Sequence, residues 1–251
     1  MPRPIAIQLY SLRAEADADL DATLSRLGRT GFRGLECADL HGRSPAEFRR
    51  RVSDAGMVLC SAHAMATGDD GARALDTVAA LESPIAVVPV AAPDRFRDDE
   101  GVGLVANELN RALALARERG LALAYHNHFW EWTPLADGTP AFDRLLERLD
   151  PGVQIELDVY WAKTAGQDPV ALVERLGPRA SRLHMKDGPA DGPASAMTAA
   201  GGGTIDLAAI AAADASEWHI VELDRCDTDM FDAVEASYAY LVGQGISLGR
   251  D

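Results

Sequence analysis

Imidazole and carboxylate side chains recur in this chain two residues apart: His126 with His128, Glu156 with Asp158, Glu222 with Asp224, and His184 with Lys186. On an extended strand residues i and i+2 face the same way, so each pair presents two polar groups to one side. Gln8 with Tyr10, Glu36 and His63 end further apolar runs. Carboxylate and imidazole donors without a thiolate suit Mn²⁺, Mg²⁺, Co²⁺ or Zn²⁺ and leave positions open for an oxygen-rich ligand, without selecting among those ions. Any one of these residues alone reads equally as a solvated loop residue or a satisfied hydrogen bonder. Their coincidence at equivalent positions of a repeated unit points to a site, with Asp158, His184 and Glu222 ending successive runs.

The runs are short and β-rich, at residues 5–10, 33–37, 58–63, 85–90, 121–126, 153–158, 181–186 and 218–223. Between them lie stretches of helical pattern at 19–29, 45–55, 70–81, 103–119, 141–149, 169–176, 205–213 and 228–242. Such alternation is the mark of a parallel sheet with crossover helices. Gly31, Gly56, Gly120, Gly177 and Gly243 stand where a left-handed residue ends a helix. The regular repeats predict one α/β domain over residues 1–251, a single (β/α)₈ TIM barrel. In such a barrel the polar strand ends converge on the C-terminal mouth, and apolar side chains fill the middle. A doubly wound open sheet shares the alternation, but the first run ends in Gln8-Leu9-Tyr10-Ser11 with no G-x-G-x-x-G after it. The longest irregular stretch, 187–203, is rich in Gly, Pro, Ala and Ser and is expected to be an active-site loop.

A formal charge of −15 repels polyphosphate, so nucleic acid is not an expected partner. The chain carries no apolar run long enough to span a membrane and no long apolar segment near Met1, so a cytoplasmic protein is expected. Cys37, Cys60 and Cys226 lack metal-finger spacing and are expected as buried thiols.

At these residues the chain resembles the sugar phosphate isomerase/epimerase superfamily, the xylose-isomerase-like barrels that include inosose dehydratases, hydroxypyruvate isomerase and ketose 3-epimerases. The resemblance covers the whole chain. Its carriers are Ile7-Gln8-Leu9-Tyr10-Ser11, Tyr125-His126-Asn127-His128 with Glu131, Leu157-Asp158-Val159-Tyr160-Trp161, His184-Met185-Lys186-Asp187, Gly201-Gly202-Gly203-Thr204-Ile205-Asp206 and Val221-Glu222-Leu223-Asp224. It implies one divalent metal ion held by Glu, Asp, His and Glu from four strands. Asp158, His184 and Glu222 match the last three, while the fifth strand carries Tyr125-His126-Asn127-His128 in place of the first Glu. Inward-facing alternation puts His126 at that position, and a one-residue shift would put Tyr125 there.

The implied reaction is proton abstraction next to a carbonyl, the metal holding the carbonyl and a neighbouring hydroxyl against enediolate charge. Isomerisation, epimerisation and loss of water share that step, and loss of the fifth-strand Glu argues against a symmetric two-Glu epimerase. Glu222 is expected as ligand and base, with His63, His128 and Lys186 moving or steadying protons. Lys186 reads equally as a cation for a phosphate or carboxylate, or as a salt bridge with Glu156 or Asp158. Glu36, Gln8, Trp161 and Glu131 are expected to contact the sugar, although Glu36 could instead pair with Arg13 or Arg33. Trp130, Trp132 and Trp161 could stack on a sugar or simply pack. The Gly201-Gly202-Gly203 run could cradle a phosphate or hinge a lid. The expected partner is thus a small sugar or sugar phosphate. Self-association is left open, since the helix face 231–240 could pair copies or pack on the barrel. Two rivals stand beside this: a multi-metal apurinic endonuclease, disfavoured by the acidic charge, and a sugar-binding barrel that has lost catalysis.

Overall fold

A computed structural model describes residues 1–250. Strands β1 (Arg3–Gln8), β2 (Gly34–Cys37), β3 (Val58–His63), β4 (Ile85–Val88), β5 (Ala122–His126), β6 (Val153–Asp158), β7 (Ala180–His184) and β8 (Trp218–Val221) pair in sequence order, all in parallel. Both β8 and β2 pair with β1, so the sheet closes on itself as a (β/α)₈ barrel. Helices α1 (Arg13–Thr30), α2 (Pro45–Asp54), α3 (Gly71–Ala80), α4 (Asp99–Arg117), α5 (Ala141–Arg148), α6 (Val159–Thr164), α7 (Pro169–Leu176), α8 (Leu207–Ala213) and α9 (Met230–Gly243) connect the strands. A short strand β9 (Ser247–Leu248) extends the sheet beside Arg3 and Pro4.

Alternation sorts each strand into two layers. Ile5, Ile7, Leu35, Leu123, Ile155, Leu157, Leu183 and Val221 join the large core between sheet and helices. Inside the barrel two small clusters remain, Ala6 with Cys60, Ile220 and Trp218, and Ile85 with Val87, Ala124 and Ala122. Trp218 fills the floor so closely that a Cβ on Gly34 would lie 2.7 Å from its ring.

Several element ends differ from the sequence expectation, each for a local reason. The first strand stops at Gln8, because the Gln8 side-chain oxygen accepts the Tyr10 N–H at 3.1 Å and starts a 3₁₀ turn over Leu9–Leu12. Tyr10 is therefore exposed, with the Arg13 guanidinium over its ring. The fourth, seventh and eighth strands stop at Val88, His184 and Val221, so Lys186 and Glu222 lie just past the strand ends. Helix α1 starts at Arg13 and breaks at Asp19 (φ −157, ψ 92), whose carboxylate caps the second segment at the Ala22 N–H. The expected stops at Gly31, Gly56 and Gly120 all have positive φ. Gly177 has φ 50 but ψ −132, outside the left-handed well, and Gly243 is the last residue of α9, where Gly245 makes the turn. Helix α6 was not expected from the sequence. Cys37 and Cys60 are buried free thiols, while Cys226 is half-buried. Among the described residues no helix is long and apolar enough to cross a membrane.

Candidate metal centre

Asp158 ends β6 and caps α6, and this double duty orients its carboxylate. Oδ1 accepts the Trp161 N–H at 2.8 Å, which leaves Oδ2 2.8 Å from Lys186 Nζ and 3.9 Å from His126 Nε2. Asn127 pins the ends of β5 and β6 together: its Oδ1 accepts the Asp158 N–H at 2.9 Å, and its amide donates to the Asp158 carbonyl at 3.3 Å. His126 enters from β5 beside Glu156, its register partner on β6. Tyr125 points the other way, its hydroxyl donating to Glu131 at 2.7 Å within the core, so His126 is the residue turned into the cluster. On the next strand His184 is the register partner of Asp158, and its Nδ1 lies 2.7 Å from Glu222 Oε2 just past β8.

His126, Asp158, His184 and Glu222 thus bring one ligand atom each to within 4.8 Å of one another, and all four are buried. These residues fit a divalent cation: the donors are nitrogen and oxygen only, and the four lie buried within reach of one ion. Behind His184, Glu36 Oε1 takes Nε2 at 2.8 Å, and a carboxylate behind an imidazole fixes the tautomer and orientation of a ligating ring.

Beneath these residues lies a layer of paired acids and imidazoles. His63 Nε2 is 2.9 Å from Glu156 Oε2 and 3.3 Å from Glu36 Oε1, and Gln8 donates to Glu36 at 2.7 Å. Glu36 therefore meets histidines and Gln8, not Arg13 or Arg33. Glu156 Oε2 also lies 3.2 Å from both His126 Nδ1 and His184 Nε2. His63, His126, Glu156 and His184 form a second set of similar spacing, sharing His126 and His184 with the first. Burial alone would raise the carboxylates and lower the imidazoles, but their mutual charges win. Glu36 is held well below the carboxylate range and Glu156 at about 2, while His63 rises to about 10 and His184 well above the ordinary imidazole value. Burial keeps His126 low, and so neutral and able to ligate. It also lifts Asp158 to about 6 in spite of Lys186.

Lys186 carries a buried ammonium into the cluster, 2.6 Å from Glu222, 2.8 Å from Asp158 and 3.0 Å from Asp224. Its acidic partners are these three and not Glu156. Buried Glu36, Glu156, Asp158 and Glu222 outnumber that single lysine, and protonated His63 and His184 or a divalent ion would balance them. His128 stacks on Trp130 with ring centroids 4.2 Å apart, and burial together with the Lys186 charge lowers it to about 3. Trp161 is 6.4 Å from His128 and 5.7 Å from Lys186 Nζ, whereas Trp132 packs on Phe142. Glu131 does not reach the mouth. It is fully buried, with one oxygen on the Tyr125 hydroxyl and the other on the His128 N–H, so it shapes the turn that presents His128.

A sequence profile of the xylose isomerase-like TIM barrel matches residues 24–224. The chain belongs to that family. Within the xylose isomerase-like barrels it is 28% identical to an inosose dehydratase of Geobacillus kaustophilus (strain HTA426) over 193 residues, 66% of this chain and 61% of the relative. It is 33% identical to a 2-epi-5-epi-valiolone 7-phosphate 2-epimerase of Actinoplanes sp. over 136 residues, 53% of this chain and 47% of the relative. Both matches span less than two thirds of the relative's own length. A sugar phosphate isomerase/epimerase from Parabacteroides distasonis superposes with a TM-score of 0.86 at 26% identity, covering 99% of this chain and 96% of that one.

In this xylose isomerase-like barrel the glycine run does not face a ligand with open amides. Asp187 occupies it: Oδ2 accepts the Gly201 and Gly203 N–H groups at 2.8 and 3.1 Å, and Oδ1 those of Gly188 and Ile205 at 2.8 and 3.1 Å. The loop is also tied by Asp187 to Thr198 and by Met197 to Cys226, so it is braced. The sequence pairs Glu156 with Asp158 on one face but assigns no site role to it, to Asn127 or to Asp187. Glu156 was within reach, two residues before Asp158, whereas the partners of Asn127 and Asp187 depend on loop geometry.

Proposed function

We propose that this protein catalyses proton transfer at a carbon next to the carbonyl of a keto-sugar, sugar phosphate or inosose, as an isomerase or epimerase. The convergence of His126, Asp158, His184 and Glu222 at the mouth of a xylose isomerase-like barrel carries the proposal. A divalent ion held by those four residues would supply positive charge against the oxyanion of an enediolate. Glu222 is the base. Burial would raise it, but Lys186 and His184 outweigh burial and hold it well below the carboxylate range, so it is ionised at any working pH. It takes the proton, and the C–H electron pair moves into the new C=C bond as the carbonyl oxygen gains charge. Lys186 steadies that oxygen or a neighbouring hydroxyl, while His63 and His128 hold protons for substrate hydroxyls.

A dehydratase is the second reading. His126 stands where a second carboxylate would make the acid and base equivalent, and one relative is named an inosose dehydratase. In that case the proton leaves the carbon to Glu222, the enediolate expels a β-hydroxyl, and a neighbouring acid protonates it to water.

The test begins with elemental mass spectrometry of wild type and of Asp158→Ala, His184→Ala, Glu222→Ala and His126→Ala variants that remain folded. The expected result is about one divalent ion in wild type and loss in all four variants. Incubation with keto-sugars and inososes in heavy water is expected to place deuterium next to the carbonyl. A wild type that takes up none of Mn²⁺, Co²⁺, Mg²⁺ and Zn²⁺ sinks the mechanism. Tight sugar binding without exchange would make it a binding protein.

A further inference from the structure

We infer that the barrel carries a second cation position one layer below the first, made of His63, His126, Glu156 and His184, and that a single ion occupies one position or the other. This rests on the proposed metal chemistry and adds a way of withholding the ion from it. The ligand atoms of each set lie within 4.8 Å of one another. The two imidazoles common to both sets present one nitrogen to each layer. His126 turns Nε2 toward Asp158 Oδ2, 3.9 Å away, and Nδ1 toward Glu156 Oε2 at 3.2 Å. His184 turns Nδ1 toward Glu222 Oε2 at 2.7 Å and Nε2 toward Glu156 Oε2 at 3.2 Å. A neutral imidazole has one nitrogen with a free lone pair, so the pair ligates upward or downward and not both at once.

Two buried carboxylates mark the lower layer as a place for a cation. Glu36 and Glu156 are fully buried, and among the described residues no Lys or Arg ion-pairs with either; imidazoles and Gln8 face them instead. One oxygen of each, Glu36 Oε2 and Glu156 Oε1, has no hydrogen-bond partner among the described residues, a costly state that a nearby cation relieves. The donors also separate the positions. Three imidazoles and one carboxylate make a closed, nitrogen-rich set that suits Zn²⁺, whereas two imidazoles and two carboxylates at the open mouth suit Mn²⁺. An ion reaches the lower set only past the upper one, so it fills slowly and under Zn²⁺ excess. With the ion below, Lys186 keeps Asp158 and Glu222 at 2.8 and 2.6 Å, and no metal faces the substrate.

The test uses the intact protein, stripped of metal, as wild type, Asp158→Ala, Glu156→Gln and the double variant, with His63→Asn in place of Glu156→Gln if the latter does not fold. Each is incubated overnight with excess Zn²⁺ or Mn²⁺, dialysed and counted by elemental mass spectrometry, and the electron spin resonance of Mn²⁺ follows its release by Zn²⁺. Loss of an outer partner alone costs a metal site about tenfold to a hundredfold, so loss of a ligand should cost at least that. Asp158→Ala is expected to lose Mn²⁺ affinity by that factor and still take one Zn²⁺, which the double variant loses. Glu156→Gln should hold Mn²⁺ as wild type does, and wild type should hold one ion in all, Zn²⁺ releasing Mn²⁺ one for one. Zn²⁺ in wild type but none in Asp158→Ala, Zn²⁺ that survives in the double variant, or both ions bound together in wild type overturns the inference. A wild type that takes up no ion sinks the proposed chemistry as well, so the two failures are told apart.

Discussion

Lys186 is the residue on which the local electrostatics turn. Its ammonium is fully buried against Asp158, Glu222 and Asp224, and their charges raise its pKa well above the ordinary lysine value. Removing one partner of a buried ion pair leaves the others uncompensated. Lys186→Met is therefore expected to cost the metal-free protein about 3–5 kcal/mol in denaturant unfolding. Added Mn²⁺ should restore part of that loss, because a bound ion stabilises only the folded state. Asn127 acts at one remove: it meets Asp158 through the backbone alone, also donates to the His128 carbonyl at 3.3 Å, and so holds both residues' positions. Asn127→Ala is expected to weaken Mn²⁺ binding by about tenfold to a hundredfold, read by titration, with the fold retained.

At the scale of elements, irregularities in the sheet decide which side chains enter the barrel. Between β2 and β3 the register slips, so that Leu35 faces Leu59 while Glu36 faces Ser61. The slip resets the alternation of β3: Cys60 joins the inner cluster, Ala62 the outer core, and His63 again turns inward to Glu36 and Glu156. A second slip between β6 and β7 sits beside Glu156. Bulges beside active sites commonly re-aim a side chain in this way. Below them, the floor depends on Gly34 leaving room for Trp218. Gly34→Ala is expected to destabilise by about 1–3 kcal/mol through overpacking. Pairing it with Trp218→Leu should recover much of the loss in the same unfolding assay.

At the scale of the whole molecule, the bottom of the barrel is closed by Asp214. Its carboxylate meets Arg3 at 3.0 Å, Ser216 at 3.0 Å and His219 at 3.2 Å, and His219 reaches Ser247 at 2.8 Å. The first strand, the last barrel strand and the C-terminal strand are thereby tied together, far in sequence from one another. Burial would raise Asp214, but the His219 and Ser216 hydrogen bonds outweigh it and hold the group at about 2. The folded value is below the unfolded one. Asp214 therefore contributes stability that is fully present above the ordinary carboxylate range and is lost as pH falls through about 2. Allowing for solvent screening, that contribution is about 1–2 kcal/mol. Urea unfolding at successive pH values should show Asp214→Asn less stable than wild type at pH above the carboxylate range, with the gap closing in acid.

The fold was legible in the sequence because the β/α period repeats, and apolar runs ending in polar pairs need no long-range information to be recognised. Strand ends also showed which side chains the mouth would receive, since period-two alternation is a property of the backbone: His126, Asp158, His184 and Glu222 come together as their positions imply. Tertiary structure decided what those groups face. The partners of Lys186, the descent of Glu131 into the core and the pairing of Glu36 with His63 and His184 all depend on contacts between distant strands. Filling of the glycine nest by Asp187 was equally hidden, because the same amides would serve a phosphate or a carboxylate, and only the folded loop shows which anion holds them. Local pattern sets an element and its face; the charge and the partner that meet that face are set by packing across the barrel.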